Sequence, residues 1–317
     1  MVLRMSGVTT YALRFGELGL KSAPVRREFQ RSLLSSLERS AIREEVDLFI
    51  ERFDSLTLAT SSGDRPVVEG MLRRCFGLVG ADPVEQMTLD PEVVAAAALE
   101  GDPRRGQART FGVRCRRSGS KGEWNSQTFA GAVGHHMLEL DPSLSVDLTN
   151  PEIPIRVHMT AGHAFLMEER IPGPGGLPCG VQGDVLARIV DRDTMLSAWQ
   201  VMRRGAGIVP TKDSDLGLVE ILDAWDPGLA DAARGEPSSS RRKKKAKRTP
   251  WGFIGMDRNE AVTQIRIDRR RNTPAVELDA TQGWNEIESI ALRKHIEDPC
   301  NNPWGHAGNE ALLSWIT

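Results

Sequence analysis

The sequence predicts mixed strand-and-helix units, α+β in the N-terminal half and α/β after it. Three observations carry this expectation. The chain has 317 residues, 40% of them hydrophobic, which exceeds what one core usually organises. Apolar residues switch repeatedly between a period of two and the helical period of 3.6. The segment Pro172–Gly176, PGPGG, is a turn-rich break between such runs. The expected parts are residues 1–82, 83–170 and 171–317, the last containing a basic linker over 238–250.

Residues 9–14, TTYALR, read as a strand, followed by a turn at Gly16. A helix from about Pro24 then places Phe29, Leu33, Leu34 and Leu37 on one side. A second cycle follows, with Ser55–Thr60 alternating as a strand, a break at Ser62–Asp64, and helical spacing over Val67–Cys75. An extended piece near Phe76–Val79 closes it, and two strand-helix cycles predict a small ferredoxin-like α+β unit.

The alanine-rich stretch over 91–99 predicts a helix, and Thr110–Arg116 alternates as a new strand. Asn125 is suited to cap a helix that buries Phe129, Val133 and Met137. Extended segments are expected over Ser143–Leu148, Ile153–Met159 and Ala164–Glu169. Beyond the PGPGG linker, Val185–Val190 predicts an apolar strand leading into a helix over Thr194–Arg204 that stops at Gly205. Gly228–Pro250 has the composition of a solvated or mobile segment. Trp251–Ile254 and Pro274–Leu278 predict further strands, each followed by a helical stretch. Trp284, Trp304 and Trp315 are expected to pack rather than stack on bases.

The longest apolar run, Val93–Leu99, is far shorter than the roughly 18 residues needed to span a bilayer, and no signal-peptide pattern follows Met1. The expectation is a cytoplasmic protein without a membrane partner. Cys75, Cys115, Cys179 and Cys300 lie far apart with no CxxC spacing, which argues against a metal site and a disulfide framework. The formal net charge of -2 conceals a cationic run, Arg241–Arg248, and an acidic stretch over Asp213–Asp231.

Phe111–Pro151 contains FGVRCRR, NSQ, VGHHMLE and SVDLTNP in order. Together these resemble a THUMP domain, with Val146, Asp147, Leu148, Asn150 and Pro151 matching its VDLxNP element. The resemblance implies RNA binding. Arg114, Arg116, Arg117 and Lys121 have the chemistry for phosphate contacts at a strand end, whereas an isolated basic cluster is more often a solvated rim. Asp147 and Asn150 suit a turn better than a ligand site, and His135 and His136 read as structural.

The stretch over 13–33, LRFGELGLKSAPVRREFQRSL, resembles the N-terminal ferredoxin-like domain that accompanies THUMP in tRNA 4-thiouridine synthases, the tRNA sulfurtransferases. Arg14, Gly16, Glu17, Lys21, Arg26, Arg27 and Phe29 carry that match. The family implies a grip on the 3′ acceptor end of tRNA, which makes Arg14, Lys21 and Arg27 candidate backbone contacts. Phe29 equally fits a core position, and Glu17 an ion pair.

Residues 173–205 resemble the linker and first strand-helix unit of the family's Rossmann-like ATP-pyrophosphatase domain. That domain carries an SGGxDS loop, where this chain has Val190, Asp191, Arg192, Asp193 and Thr194. Glycines let backbone amides approach a pyrophosphate, and both are replaced. Asp193 and Thr194 are the remnant of the ATP-binding loop, so no cofactor is expected and ATP is disfavoured.

Cys300 falls near the family's sulfur-accepting cysteine, although a lone cysteine is more often inert than nucleophilic. The basic run, with Lys243 and Lys244, fits either a flexible clamp on RNA or a solvated insertion. The leading expectation is a tRNA-binding protein serving thiolation or another tRNA modification, together with a catalytic partner protein or as a homodimer. The alternatives are an active ATP-dependent thiouridine synthase and a structural or dimerisation subunit of a modification complex.

Overall fold

The computed structural model describes residues 7–16, 22–53, 55–119, 122–237, 249–264 and 276–302. In chain order the elements of the N-terminal half are β1 (Thr9–Phe15), α1 (Ala23–Arg43), β2 (Phe49–Phe53), β3 (Leu56–Ser61), α2 (Arg65–Arg73), β4 (Leu78–Thr88), α3 (Pro91–Leu99), β5 (Arg109–Arg117), α4 (Ser126–Leu140), β6 (Leu144–Val146), β7 (Ile153–Met159) and β8 (His163–Met167). They are followed by β9 (Ile171–Pro172), β10 (Asp184–Ala187), α5 (Arg192–Arg203), β11 (Gly207–Pro210), α6 (Leu216–Asp223), α7 (Leu229–Arg234), β12 (Gly252–Ile254), α8 (Arg258–Gln264), β13 (Val276–Glu277) and α9 (Glu286–Glu297).

Contacts divide the chain into two compact units. One takes the described parts of Met1–Leu13, with Phe49–Ser62 and Asp82–Arg170. The other takes Arg14–Leu48, Gly63–Ala81 and the described parts of Ile171–Thr317.

The first unit is built on a sheet of order β2-β3-β1-β4-β8-β7-β5-β6. Period-two alternation sorts its strands into two faces. Phe111 and Val113 of β5 and Ile155, Val157 and Met159 of β7 point to one side. There they meet Val94, Ala95 and Leu99 of α3 and Phe129, Val133 and Met137 of α4. The last three recur at i, i+4 and i+8, which puts them on one helical stripe, as expected. Asn125 caps α4 by accepting from the amides of Gln127 and Thr128, both at 2.9 Å, and Thr128 completes a capping box. Ala12, Leu56, Leu58, Val84 and Phe165 form a second cluster.

The second unit holds an all-parallel sheet of order β11-β10-β12-β13. Its core gathers Trp199 of α5, Trp225 and Phe76, with the Phe76 ring stacked on Trp225 at 5.2 Å. The buried Trp225 indole donates to the Ile296 carbonyl at 3.0 Å, so its polar atom is satisfied. Arg39 of α1 donates to the Asp226 carboxylate at 2.8 Å and to the Pro227 carbonyl at 3.0 Å, all within this unit.

A sheet of mixed strand direction in one unit and a parallel sheet in the other are consistent with ferredoxin-like and Rossmann-like regions. One sequence expectation needs correction at its start. Gly228–Pro250 begins with α7, not with a solvated segment, because Leu229, Ala230 and Ala233 are buried. Gly228 and Gly235 take left-handed φ values of 93° and 78° at its two ends. Residues 238–248, with Lys243, Lys244 and the rest of the basic run, lie outside the described residues, as do Glu17, Lys21, Lys121, Trp304 and Trp315.

Candidate nucleic-acid interface and nucleotide loop

Since Phe111 and Val113 face α3 and α4, the intervening residues of β5 turn the other way. Arg114 and Arg116 are exposed on that opposite face. The parallel partner β7 places Arg156 beside Arg114 and His158 beside Arg116 in Cα register. Arg114 donates weakly to the Leu148 carbonyl at 3.4 Å. Arg117 falls on the helix side and turns back to the Trp124 carbonyl at 2.6 Å. The strand thus brings Arg114 and Arg116 together and separates Arg117 from them. Arg156 and His158 were readable from IPIRVHM, where Ile155, Val157 and Met159 must point inward.

The VDLTNP turn organises the neighbouring edge. The Asp147 carboxylate accepts from the amides of Thr149 at 2.8 Å and Asn150 at 3.1 Å. The Asn150 and Thr149 amides hold that carboxyl below the usual range. The Asp147 amide donates to the Phe111 carbonyl at 2.9 Å, and the turn sits so close to Gly112 that a Cβ there would lie 2.6 Å from the Asp147 carbonyl oxygen. Asp147 is therefore a turn former. His136 meets Glu139 one helical turn on at 2.8 Å, and His135 is 3.4 Å from the same carboxylate.

Arg14 and Arg27 belong to the second unit, Arg14 near the end of β1 and Arg27 exposed in the first turns of α1.

Between β10 and α5, the first helical turn is closed by its own side chains. Asp191 is the N-cap, and its carboxylate accepts from the Thr194 amide at 2.8 Å. The Thr194 hydroxyl oxygen accepts in return from the amides of Val190 and Asp191, both at 3.1 Å. Both nearby guanidinium groups are engaged by carboxylates. Arg192 grips Glu286 through two contacts of 2.5 and 3.0 Å, which holds the Glu286 carboxyl below its usual range. Arg188 takes Glu260 at 3.1 and 3.2 Å and donates to the Gly255 carbonyl at 2.7 Å. In a parallel sheet of this order, β10 and β12 flank the switch point where ligands of such sheets bind. Here the Arg188 side chain reaches from one strand end to the other.

Cys300 is exposed and follows α9, whereas Glu286 and its partner Arg192 lie at the other end of that helix. Twelve helical residues span about 18 Å, so Asp193 and Thr194 are not brought to Cys300. Trp284 packs against the core around Trp199. Among the described residues no cluster of three or more His, Cys, Asp or Glu side chains could hold a metal ion, and no helix is long and apolar enough to cross a membrane.

The THUMP domain family matches residues 93–168, the segment that supplies α3, β5, α4 and β6 to β8. A probable tRNA sulfurtransferase of Methanobrevibacter smithii is 30% identical over 203 residues, which are 62% of this chain and 51% of that protein. Another from Aeropyrum pernix is 32% identical over 227 residues, 70% of this chain and 56% of the other. This is a THUMP-domain chain homologous to the tRNA sulfurtransferases.

The THUMP-domain chain spans about half the length of the curated relatives it matches. Its fold is shared by the crystal structure of PH1313 from Pyrococcus horikoshii Ot3, with a TM-score of 0.67 at 21% identity over 91% of this chain and 99% of that one. A 4-thiouridine synthetase, solved as an RNA complex with bound ATP, superposes with a TM-score of 0.64 at 17% identity over 91% and 85%.

Proposed function

We propose that this chain binds the acceptor end of tRNA and serves thiolation or another tRNA modification in the cytoplasm, presenting the RNA to a catalytic partner or a second subunit. The observation that carries the reading is the exposed pair Arg114 and Arg116 on one face of the unit that contains the THUMP match. Guanidinium groups there offer planar, paired donors to phosphate oxygens, and strand geometry sets their Cα atoms about 7 Å apart. The 4-thiouridine synthetase of similar fold was solved with RNA and with ATP, which supports RNA as the ligand class. Arg117, Arg14 and Arg27, with Lys21, Lys121, Lys243 and Lys244, are proposed as further backbone contacts.

The nucleotide loop supports a binding role over an ATP-consuming one. The Asp191 carboxylate accepts from one amide of the first helical turn, a donor a phosphate could otherwise use, and it places negative charge at the helix start that favours anions. Asp193 and Thr194 survive in this reading as parts of a helix start.

Binding of full-length tRNA and of tRNA lacking its terminal CCA, each titrated across salt concentrations, tests the proposal. Tight binding that needs the CCA end, weakens with salt and drops in Arg114→Ala and Arg116→Ala is the expected result. Equal and weak binding of both RNAs, unmoved by the substitutions, would sink it.

A further inference from the structure

Asp82 of β4 is wholly buried, and two arginines converge on it. Its Oδ1 accepts from Arg170 Nε at 2.8 Å and from Arg156 Nη1 at 3.3 Å, and its Oδ2 accepts from Arg170 Nη2 at 3.1 Å. The side chain of Asp82 is 0% exposed, those of Arg156 and Arg170 31% and 47%. The anion therefore lies underneath and the cations face outward. Arg170 alone already meets the carboxylate with a bidentate grip, so the second guanidinium leaves the trio with a charge of +1 at the surface.

The placement of the trio gives that charge a direction. Arg156 is the register neighbour of Arg114 across the β5–β7 pair, and Val84, two residues from Asp82 on β4, is the register neighbour of Met167 on β8. Arg116 and Arg114 along β5, Arg156 on β7 and Arg170 just beyond β8 thus form a cationic line across one sheet face. Neighbouring strands lie about 5 Å apart. Arg156 is committed, since its second Nη donates to the Glu168 carbonyl. Arg170 engages Asp82 through the Nε–Nη2 edge of its planar fork, which aims the other edge away from the carboxylate.

We propose that Arg170 is a further phosphate-binding residue of this face and that Asp82 is its positioning residue. The ligand is the sugar-phosphate backbone of RNA, recognised by charge and fork geometry and not by base edges. The inference rests on the RNA-binding reading of Arg114 and Arg116.

The test titrates full-length tRNA against the full chain at several salt concentrations, with Arg170→Gln, Arg170→Lys, Asp82→Asn and Arg114→Gln compared. Arg170→Gln is expected to weaken binding about fivefold to tenfold and to reduce the salt slope by about 0.7 to 0.9, the amount for one phosphate contact. Arg170→Lys keeps the slope and loses part of the affinity. Asp82→Asn makes the protein more positive, so a plain charge effect would tighten binding, whereas loss of positioning weakens it. Arg170 is a surface residue, so its variants remain informative if Asp82→Asn fails to fold. If Arg114→Gln lowers affinity and slope while Arg170→Gln matches the unmodified chain, this inference is overturned and the reading of the face stands. Absence of salt-dependent binding by the unmodified chain overturns both.

Discussion

The Asp191 carboxylate accepts from the Thr194 amide at 2.8 Å, so the helix start that faces the end of the parallel sheet is capped from within. Capping of this kind stabilises a helix by about 1 kcal/mol, and it uses a donor that an anion would otherwise take. The expected outcome is that millimolar ATP or pyrophosphate with Mg²⁺ leaves the melting temperature of the chain unchanged. Mixing the protein with tRNA and ATP should likewise yield no AMP. AMP that forms only with tRNA, and is lost in Asp193→Ala, would show that the loop still acts on ATP.

Arg39 and Asp226 form an ion pair at 2.8 Å with side chains only 8% and 3% exposed. Removing one partner strands a buried charge, so Asp226→Ala should cost about 3 to 5 kcal/mol. Replacing both, as Arg39→Met with Asp226→Leu, should recover much of that loss, because neither charge then needs hydration. Urea unfolding of the single and double variants measures it. A single variant within 1 kcal/mol of the parent would mean that water reaches the pair.

What the sequence made legible follows from how local each signal is. The cap at Asn125 and the stripe Phe129, Val133, Met137 lie within thirteen residues of one another, and helical period alone orders them. β2 escaped notice because FIERF is an edge strand whose faces are both partly exposed, which removes the alternation that marks a strand. Leu216, Val219 and Leu222 of α6 do carry helical spacing, but the acidic composition around them masks it. At the candidate interface, the sequence grouped Arg114, Arg116, Arg117 and Lys121 by charge at a strand end, and the strand faces then set Arg117 apart from Arg114 and Arg116. The sequence could not reveal Asp82 with Arg156 and Arg170, which meet across 74 and 88 residues and depend on which strands become neighbours.

Two glycines of the THUMP unit should respond in opposite ways to alanine. At Gly112 a Cβ would sit 2.6 Å from the Asp147 carbonyl oxygen and 3.1 Å from Pro151, both held by the turn. Gly112→Ala should therefore destabilise the chain by roughly 1 to 3 kcal/mol. Gly131 lies exposed inside α4 with nothing within 4 Å of its Cβ position. Gly131→Ala should stabilise by about 0.5 to 1 kcal/mol, since alanine loses less backbone freedom on forming a helix. Thermal or urea melts of both variants decide the matter, and a neutral Gly112→Ala would mean that the VDLTNP turn yields easily.

His295 is packed between Trp199 and Trp225, with ring centroids 5.5 and 5.4 Å away, and its Nδ1 lies 2.7 Å from the Asn302 carbonyl. Burial pushes its pKa down from 6.5 to about 4 against the opposing pull of that carbonyl, with Arg203 and Arg74 adding to the fall. The folded chain therefore keeps the ring neutral in a window where the unfolded chain protonates it. Because the unfolded state binds the extra proton there, stability falls as pH drops from 6.5 towards 4, by roughly 2 to 4 kcal/mol in all. The carboxyls held low by hydrogen bonds, such as Asp147 and Glu286, lose their contribution only below their unfolded values of 3.8 and 4.5, so the upper part of the window isolates the histidine. Urea midpoints measured from pH 7 to pH 5 should decline in the parent and stay flatter in His295→Gln, and parallel declines in the two would assign the slope to another group.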